Sequence, residues 1–222
     1  MRKLDKTKIL STTYKRWEEN LEISKQSHPN YSSENEYFID IFTNLLNIQK
    51  GLCAYTEKFI CNSGKISDGK WINGRFKNQE INIKPFCKGG NLDHFNPDLK
   101  NNKAFLWDNL FFIDTDANQF KRNKPVNEIL KPDLPDYDEF KLLEYDAECH
   151  FFIANTDLDL EKQAQVNAMI LVLGINLVYE ERKCYLSEKI DDVILGKKAW
   201  ESITVYQFPT AFEMLKRQKQ KS

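Results

Sequence analysis

Asp93 and His94 stand side by side in the stretch NLDHFNP, residues 91–97, and His94 is one of only three histidines in the chain. An imidazole is the natural general base near neutral pH, and a carboxylate beside it is a hard oxygen donor for a divalent cation. Two further polar residues follow in order, Asn109 within WDNLFF and Asn118 within TDANQFK. Phosphodiester hydrolysis needs a base to deprotonate water and a cation to neutralise the phosphate and the leaving oxygen. His94 suits the first task. Asp93 and the amide oxygen of Asn118 offer two ligands to a Mg²⁺ ion, which tolerates few protein donors because it keeps several waters. Asn109 is placed to brace the intervening loop and hold the His94 ring, and Lys121, one turn beyond Asn118, to meet a phosphate from the same helical face. His28 and His150 have no carboxylate neighbour and read as ordinary surface or core residues.

The elements that must position these residues are legible from hydrophobic spacing. Residues 6–28 carry an apolar stripe expected to form a helix, and NEYFIDIFTNLLNIQKG predicts a second, with Gly51 as its C′ stop. LCAYTEKFI reads as a short strand or hairpin arm, and 61–90 as a polar insertion or long loop. LWDNLFFI is a compact apolar strand or turn, and DTDANQFKRNK opens like a helix, with Asp114 or Thr115 as N-cap. A proline-bearing connector spans 125–139, a hairpin is expected over 140–153, and helices over 159–173, GINLVYEERKCYLSEKIDDVIL and 209–219. The resulting expectation is an α+β fold with a helical region at 1–50, a central region at 51–125 that bears the chemistry, and a mainly helical region at 126–222.

Composition bounds the rest. Among 222 residues, 41% are hydrophobic and 29% charged, with a net charge of −1, which is ordinary globular usage and offers little bulk attraction for nucleic acid. No apolar run approaches the roughly 18–20 residues that span a bilayer, and the basic N-terminus lacks a signal-peptide core, so a cytoplasmic location is the expectation. The five cysteines form no CxxC pair, which argues for buried free thiols over a disulfide framework or a four-cysteine zinc site. The tail KRQKQK, 216–221, suits a solvated helix C-terminus.

The series D-H-x-x-P, W-x-N-L and D-x-N-x-x-K resembles the HNH, or ββα-metal, endonuclease family in its variant with Asn at the third position. GLCAYTE is similar to the opening of bacterial HNH proteins of the PtuB group, the nucleases of the Septu anti-phage defence system, LDHFNP to that group's central block, and LGINLVYEERKCYL to its distal helix. The resemblance spans roughly residues 40–190, with the central block the most specific part. It implies a small ββα-metal finger between helical flanks, with His94 as general base, Asp93 and Asn118 as ligands of Mg²⁺ or Mn²⁺, and Asn109 orienting the base. It also implies a DNA substrate and a partner ATPase of the ABC/SMC type, PtuA-like. Many members carry two zinc-binding CxxC pairs. Here Cys53 stands at one such position and Thr56, Asp114 and Ala117 at the others, so no structural zinc is expected, Asp116 becomes an alternative metal ligand, and the finger must be held by Tyr55, Phe95, Trp107, Phe111 and Phe112. A degenerate HNH domain serving as a binding subunit, or an RNA-cleaving effector, would share the same residues.

Overall fold

A computed structural model describes residues 1–65, 71–77 and 89–221. The chain is α+β and divides into two compact units, one of Leu4–Cys53 and Ile60–Val126, the other of Met1–Lys3, Ala54–Phe59 and Asn127–Ser222. All candidate site residues lie in the first.

In that unit, α1 (Thr12–Ile23) begins where Ser11 caps it, its hydroxyl accepting from the Tyr14 amide at 3.2 Å. The helix starts later than the apolar stripe predicts because the preceding residues are claimed elsewhere. The Lys6 ammonium donates to the carbonyls of Trp107 (2.5 Å) and Leu110 (3.0 Å), and the Leu10 amide to Asn44 Oδ1 (2.7 Å). Helix α2 (Phe38–Ile48) buries Ile41, Leu45 and Leu46 completely. It ends in a Schellman arrangement, Gly51 N–H to Leu46 O (3.0 Å) and Lys50 N–H to Asn47 O (3.1 Å). Gly51 is therefore at C″, one place beyond the expected C′, and must be glycine: φ is +74° and a Cβ would lie 1.8 Å from Cys61 O.

Within the segment expected to be a loop, β1 (Trp71–Ile72) and β2 (Arg75–Phe76) form a small hairpin. Its Asn73-Gly74 turn has positive φ at both residues (53° and 73°), the signature of a type I′ turn. Buried Asp40 ties it down by accepting from Ser11 Oγ (2.8 Å) and the Phe76 amide (3.0 Å) and pairing with Arg75 Nε (2.6 Å). The rest of 61–90 lies largely outside the described residues. LCAYTEKFI contains no strand; the chain turns there, and Glu57 takes a positive φ of 59°.

Strands β3 (Gly90–His94) and β4 (Leu110–Asp114) pair antiparallel, with Gly90 opposite Asp114 and His94 opposite Leu110. Every residue of β4 is buried, which explains the continuous apolar run LFFI. Leu110 and Phe112 join Leu92, Phe42 and Tyr14 in one core cluster, while Phe111 on the other face meets Phe95 with ring centroids 5.9 Å apart. Helix α3 (Thr115–Lys121) follows directly, capped by Asp114, whose Oδ1 accepts the Ala117 amide at 3.0 Å.

In the second unit, α4 (Glu139–Leu142) leads into the hairpin of β5 (Leu143–Asp146) and β6 (Phe151–Ala154), which turn Leu143, Tyr145, Phe152 and Ala154 inward. Helices α5 (Leu160–Val172), α6 (Tyr179–Ile194) and α7 (Pro209–Lys221) complete it. Tyr55, expected among the aromatics of the central finger, belongs to this unit instead. Glu57 is buried and accepts from the Thr210 amide (2.9 Å) and hydroxyl (2.5 Å). Arg182 is fully buried, donating to the carbonyls of His150 (3.0 Å) and Ile175 (2.5 Å). Burial brings its guanidinium down to about 10.

The thiols depart from the expectation of buried free cysteines. Cys53 is buried, but Cys149 and Cys184 are exposed. Cys61 is disulfide-bonded. Among the described residues no helix is long and apolar enough to cross a membrane.

Candidate active site

The succession β3–β4–α3 sets the geometry, with α3 packed on both strands. Neighbouring side chains of a strand leave it on opposite faces, so Asp93 and His94 diverge. Both are 6% exposed.

The Asp93 carboxylate meets Lys121. Lys121 Nζ lies 3.0 Å from Oδ2 and 3.2 Å from Oδ1, and donates to the His94 carbonyl at 2.7 Å. Lys121 is 0% exposed, which corrects the expectation that it meets a phosphate. The helical face that carries Asn118 and Lys121 is the one turned to the strands, so the ammonium is spent on the buried carboxylate beneath it.

His94 Nε2 lies 2.8 Å from Ala104 O. A carbonyl only accepts, so Nε2 carries the proton and Nδ1 holds the lone pair. The ring stands edge-on to Tyr31, centroids 5.0 Å apart. Burial lowers its pKa, opposed by the Ala104 contact and reinforced by the positive charges of Lys100 and Lys121. At pH 7 His94 is a neutral imidazole with a basic Nδ1. The Tyr31 hydroxyl is pushed up to about 12, chiefly by burial and then by the Asp93 charge, and stays protonated.

Asn109, 3% exposed, clamps the loop after β3. Its Oδ1 accepts the Asn96 amide (2.8 Å), its Nδ2 donates to the Asn96 carbonyl (2.9 Å), and its own carbonyl accepts the Phe95 amide (2.8 Å). It braces the loop as expected from the sequence, but the hydrogen bond that fixes the His94 ring comes from Ala104. Asn109→Ala removes two side-chain bonds to backbone and is expected to cost about 2 kcal/mol of stability, read as a lower urea midpoint with unchanged m-value.

Asn118 sits half-buried one turn before Lys121, and no hydrogen bond within the described residues holds its side chain. Asp114 is committed to capping α3, and Asp116 in the first turn is exposed. Among the described residues no group of three His, Cys, Asp or Glu is placed to hold a metal. Asp93 offers one carboxylate and Asn118 one amide oxygen, donor types that suit a hard ion retaining most of its water. The ammonium held against both Asp93 oxygens marks that carboxylate as a seat for positive charge.

Three participants carry no signal in the motif. Ala104 acts through its carbonyl, Tyr31 arrives from a distant segment, and exposed Lys100 lies close enough to depress His94. His28 grips the next residue, its Nδ1 accepting the Phe105 amide at 3.0 Å. The two histidines thus fix consecutive residues of one loop.

All three histidines have lowered pKa values, each chiefly through burial. In the unfolded chain they titrate near 6.5. Between the lowered folded values and about 6.5 the unfolded state binds more protons, so this stability is complete above about pH 6.5 and is lost as the pH falls through that window. The urea midpoint is expected to drop between pH 7.5 and 5.5, with a shallower drop in His28→Gln. A midpoint rising over that interval would contradict the assignment.

No protein-family model matches the chain, and no curated protein is significantly similar to it. The functional reading therefore rests on the sequence blocks and on the site itself.

Proposed function

We propose that the protein is a metal-dependent HNH-type endonuclease that hydrolyses DNA phosphodiester bonds, acting as the effector of a bacterial anti-phage defence system under a partner ATPase of the ABC/SMC type. The observation that carries this reading is the His94 imidazole, kept neutral with Nδ1 as its basic atom, at the end of a strand whose preceding residue is Asp93 and whose hairpin partner runs straight into the helix bearing Asn118.

In this reading His94 Nδ1 takes a proton from water as the water oxygen attacks phosphorus. The P–O bond to the leaving oxygen breaks, and that oxygen takes up a proton from solvent. Ala104 keeps the acceptor tautomer in place through Nε2, and the Asn109 clamp keeps the loop that carries Ala104 closed. A Mg²⁺ or Mn²⁺ ion held by Asp93 and Asn118 would supply neutralising charge for the phosphate and leaving oxygen. Exposed Lys100, rather than Lys121, is the cation beside His94 that is open to a phosphate. A net charge of −1 gives the chain little hold on nucleic acid alone, which supports dependence on a partner. The resemblance of GLCAYTE, LDHFNP and LGINLVYEERKCYL to the Septu nucleases supplies the class of that partner.

One observation favours a second reading. An Asp93 already neutralised by a buried lysine suits a degenerate domain that binds without cutting. Supercoiled plasmid and total RNA, each incubated with the protein and Mg²⁺, Mn²⁺ or EDTA, separate these. Metal-dependent nicking of plasmid supports the DNA endonuclease, and preferential RNA cleavage moves the substrate class. No cleavage of either, with or without an added ABC/SMC-type ATPase, sinks the enzyme and leaves the binding subunit.

A further inference from the structure

We infer that Lys121 is an exchangeable internal counter-ion: its ammonium holds the Asp93 carboxylate in the absence of a divalent cation and is displaced when one binds. This rests on the metal-dependent reading and adds to it a built-in competitor that sets how much cation the site requires.

The geometry is that of a saturated ammonium. A lysine has three donors, and here three acceptors lie within reach: Asp93 Oδ2 at 3.0 Å, Asp93 Oδ1 at 3.2 Å and His94 O at 2.7 Å. A carboxylate as buried as Asp93 must be neutralised by something. An ammonium and a divalent ion on one carboxylate repel each other strongly in a buried setting, so the two occupancies exclude one another. Lysine suits this task better than arginine, because a point charge on a flexible stem can leave a site that a bidentate guanidinium would keep. The backbone is also poised for movement. Lys121 is the last residue of α3, which spans only Thr115–Lys121, and the next residue, Arg122, has φ +50° and ψ −130°. That conformation is unfavourable for a residue with a Cβ, so a shift of the helix end that takes Arg122 out of it would release strain as the ammonium withdraws.

The test measures Mn²⁺ binding, without nucleic acid, by titration calorimetry on the whole chain. Wild type is compared with Lys121→Met and with Asp93→Asn/Lys121→Met, which removes both charges while keeping the shapes. Removal of the competitor is expected to tighten Mn²⁺ binding by about tenfold or more, and the double variant is expected to lose the site. Because Lys121→Met leaves a buried carboxylate that opposes folding without metal, a second measurement uses wild type alone. With ¹⁵N-lysine labelling the protected Lys121 ammonium gives its own resonance, which saturating Mg²⁺ should shift or erase. Equal affinity in wild type and Lys121→Met, or a resonance untouched at saturation, overturns the exchange while leaving a metal site in place. If neither wild type nor Lys121→Met binds Mn²⁺, the metal-dependent reading fails and the exchange fails with it.

Discussion

His94→Ala is expected to slow Mg²⁺-dependent plasmid nicking by about 10²–10⁴-fold, the usual contribution of a positioned general base. Mn²⁺ binding should stay within about twofold of wild type, because the cation contacts are assigned to Asp93 and Asn118. His94→Gln offers an amide to Ala104 O in place of the imidazole but no basic nitrogen, so it should be as slow while nearer wild type in stability. The pH profile supplies an independent check. Burial and the charges of Lys100 and Lys121 keep the base form populated below the ordinary histidine value. The single-turnover rate should therefore be flat from pH 8 to about 6.5 and fall only beneath it. Lys100→Gln removes one depressing charge, so the fall should move to higher pH. Full nicking by His94→Ala would remove the base from the mechanism.

The second large effect is on stability. In EDTA, Lys121→Met is expected to cost about 3–5 kcal/mol, because it strands a buried carboxylate. Asp93→Asn/Lys121→Met should recover most of that loss, since removing both members of a buried pair is far milder than removing one. Urea denaturation of the three proteins at one pH decides it. A single variant as stable as wild type would mean that water reaches Asp93 and that the ion pair contributes almost nothing, as at an exposed site.

His94 and Lys121 also show where sequence reasoning succeeds and where it stops. A basic imidazole beside a carboxylate is written in residue types, and the order Asp93-His94, Asn109, Asn118 follows from spacing alone. The apolar run LFFI pointed to a strand or turn and Asp114 or Thr115 to a helix cap, and the structure resolves these as β4 and the Asp114 cap of α3. Lys121 was not. Helical spacing placed it on the Asn118 face but could not say whether that face looked to solvent or to the strands, and inward packing reversed its role. The partner of the His94 ring was invisible for another reason: any residue can present a carbonyl, so Ala104 carries no compositional mark. The late start of α1 has a similar origin, since the demands on Lys6 and Leu10 come from residues 34 to 104 positions away. The hairpin around Asn73-Gly74 did carry a signal, the Asn-Gly pair, which short strands and a polar neighbourhood obscured.

The division of the chain has a consequence for its synthesis. The unit bearing His94 draws its last residues from Val126, whereas its companion takes Ala54–Phe59 early and everything from Asn127 onward late. On a ribosome adding about 5–20 residues per second, the first unit can close while Glu57 still waits for Thr210, 153 positions downstream. For those seconds the nascent chain holds a finished β3–β4–α3 framework and a Glu57 still without the Thr210 amide and hydroxyl. Slowed translation between residues 127 and 210 should therefore lengthen exposure of residues 54–59 to proteases and chaperones, without delaying the closure of the strands around Asp93.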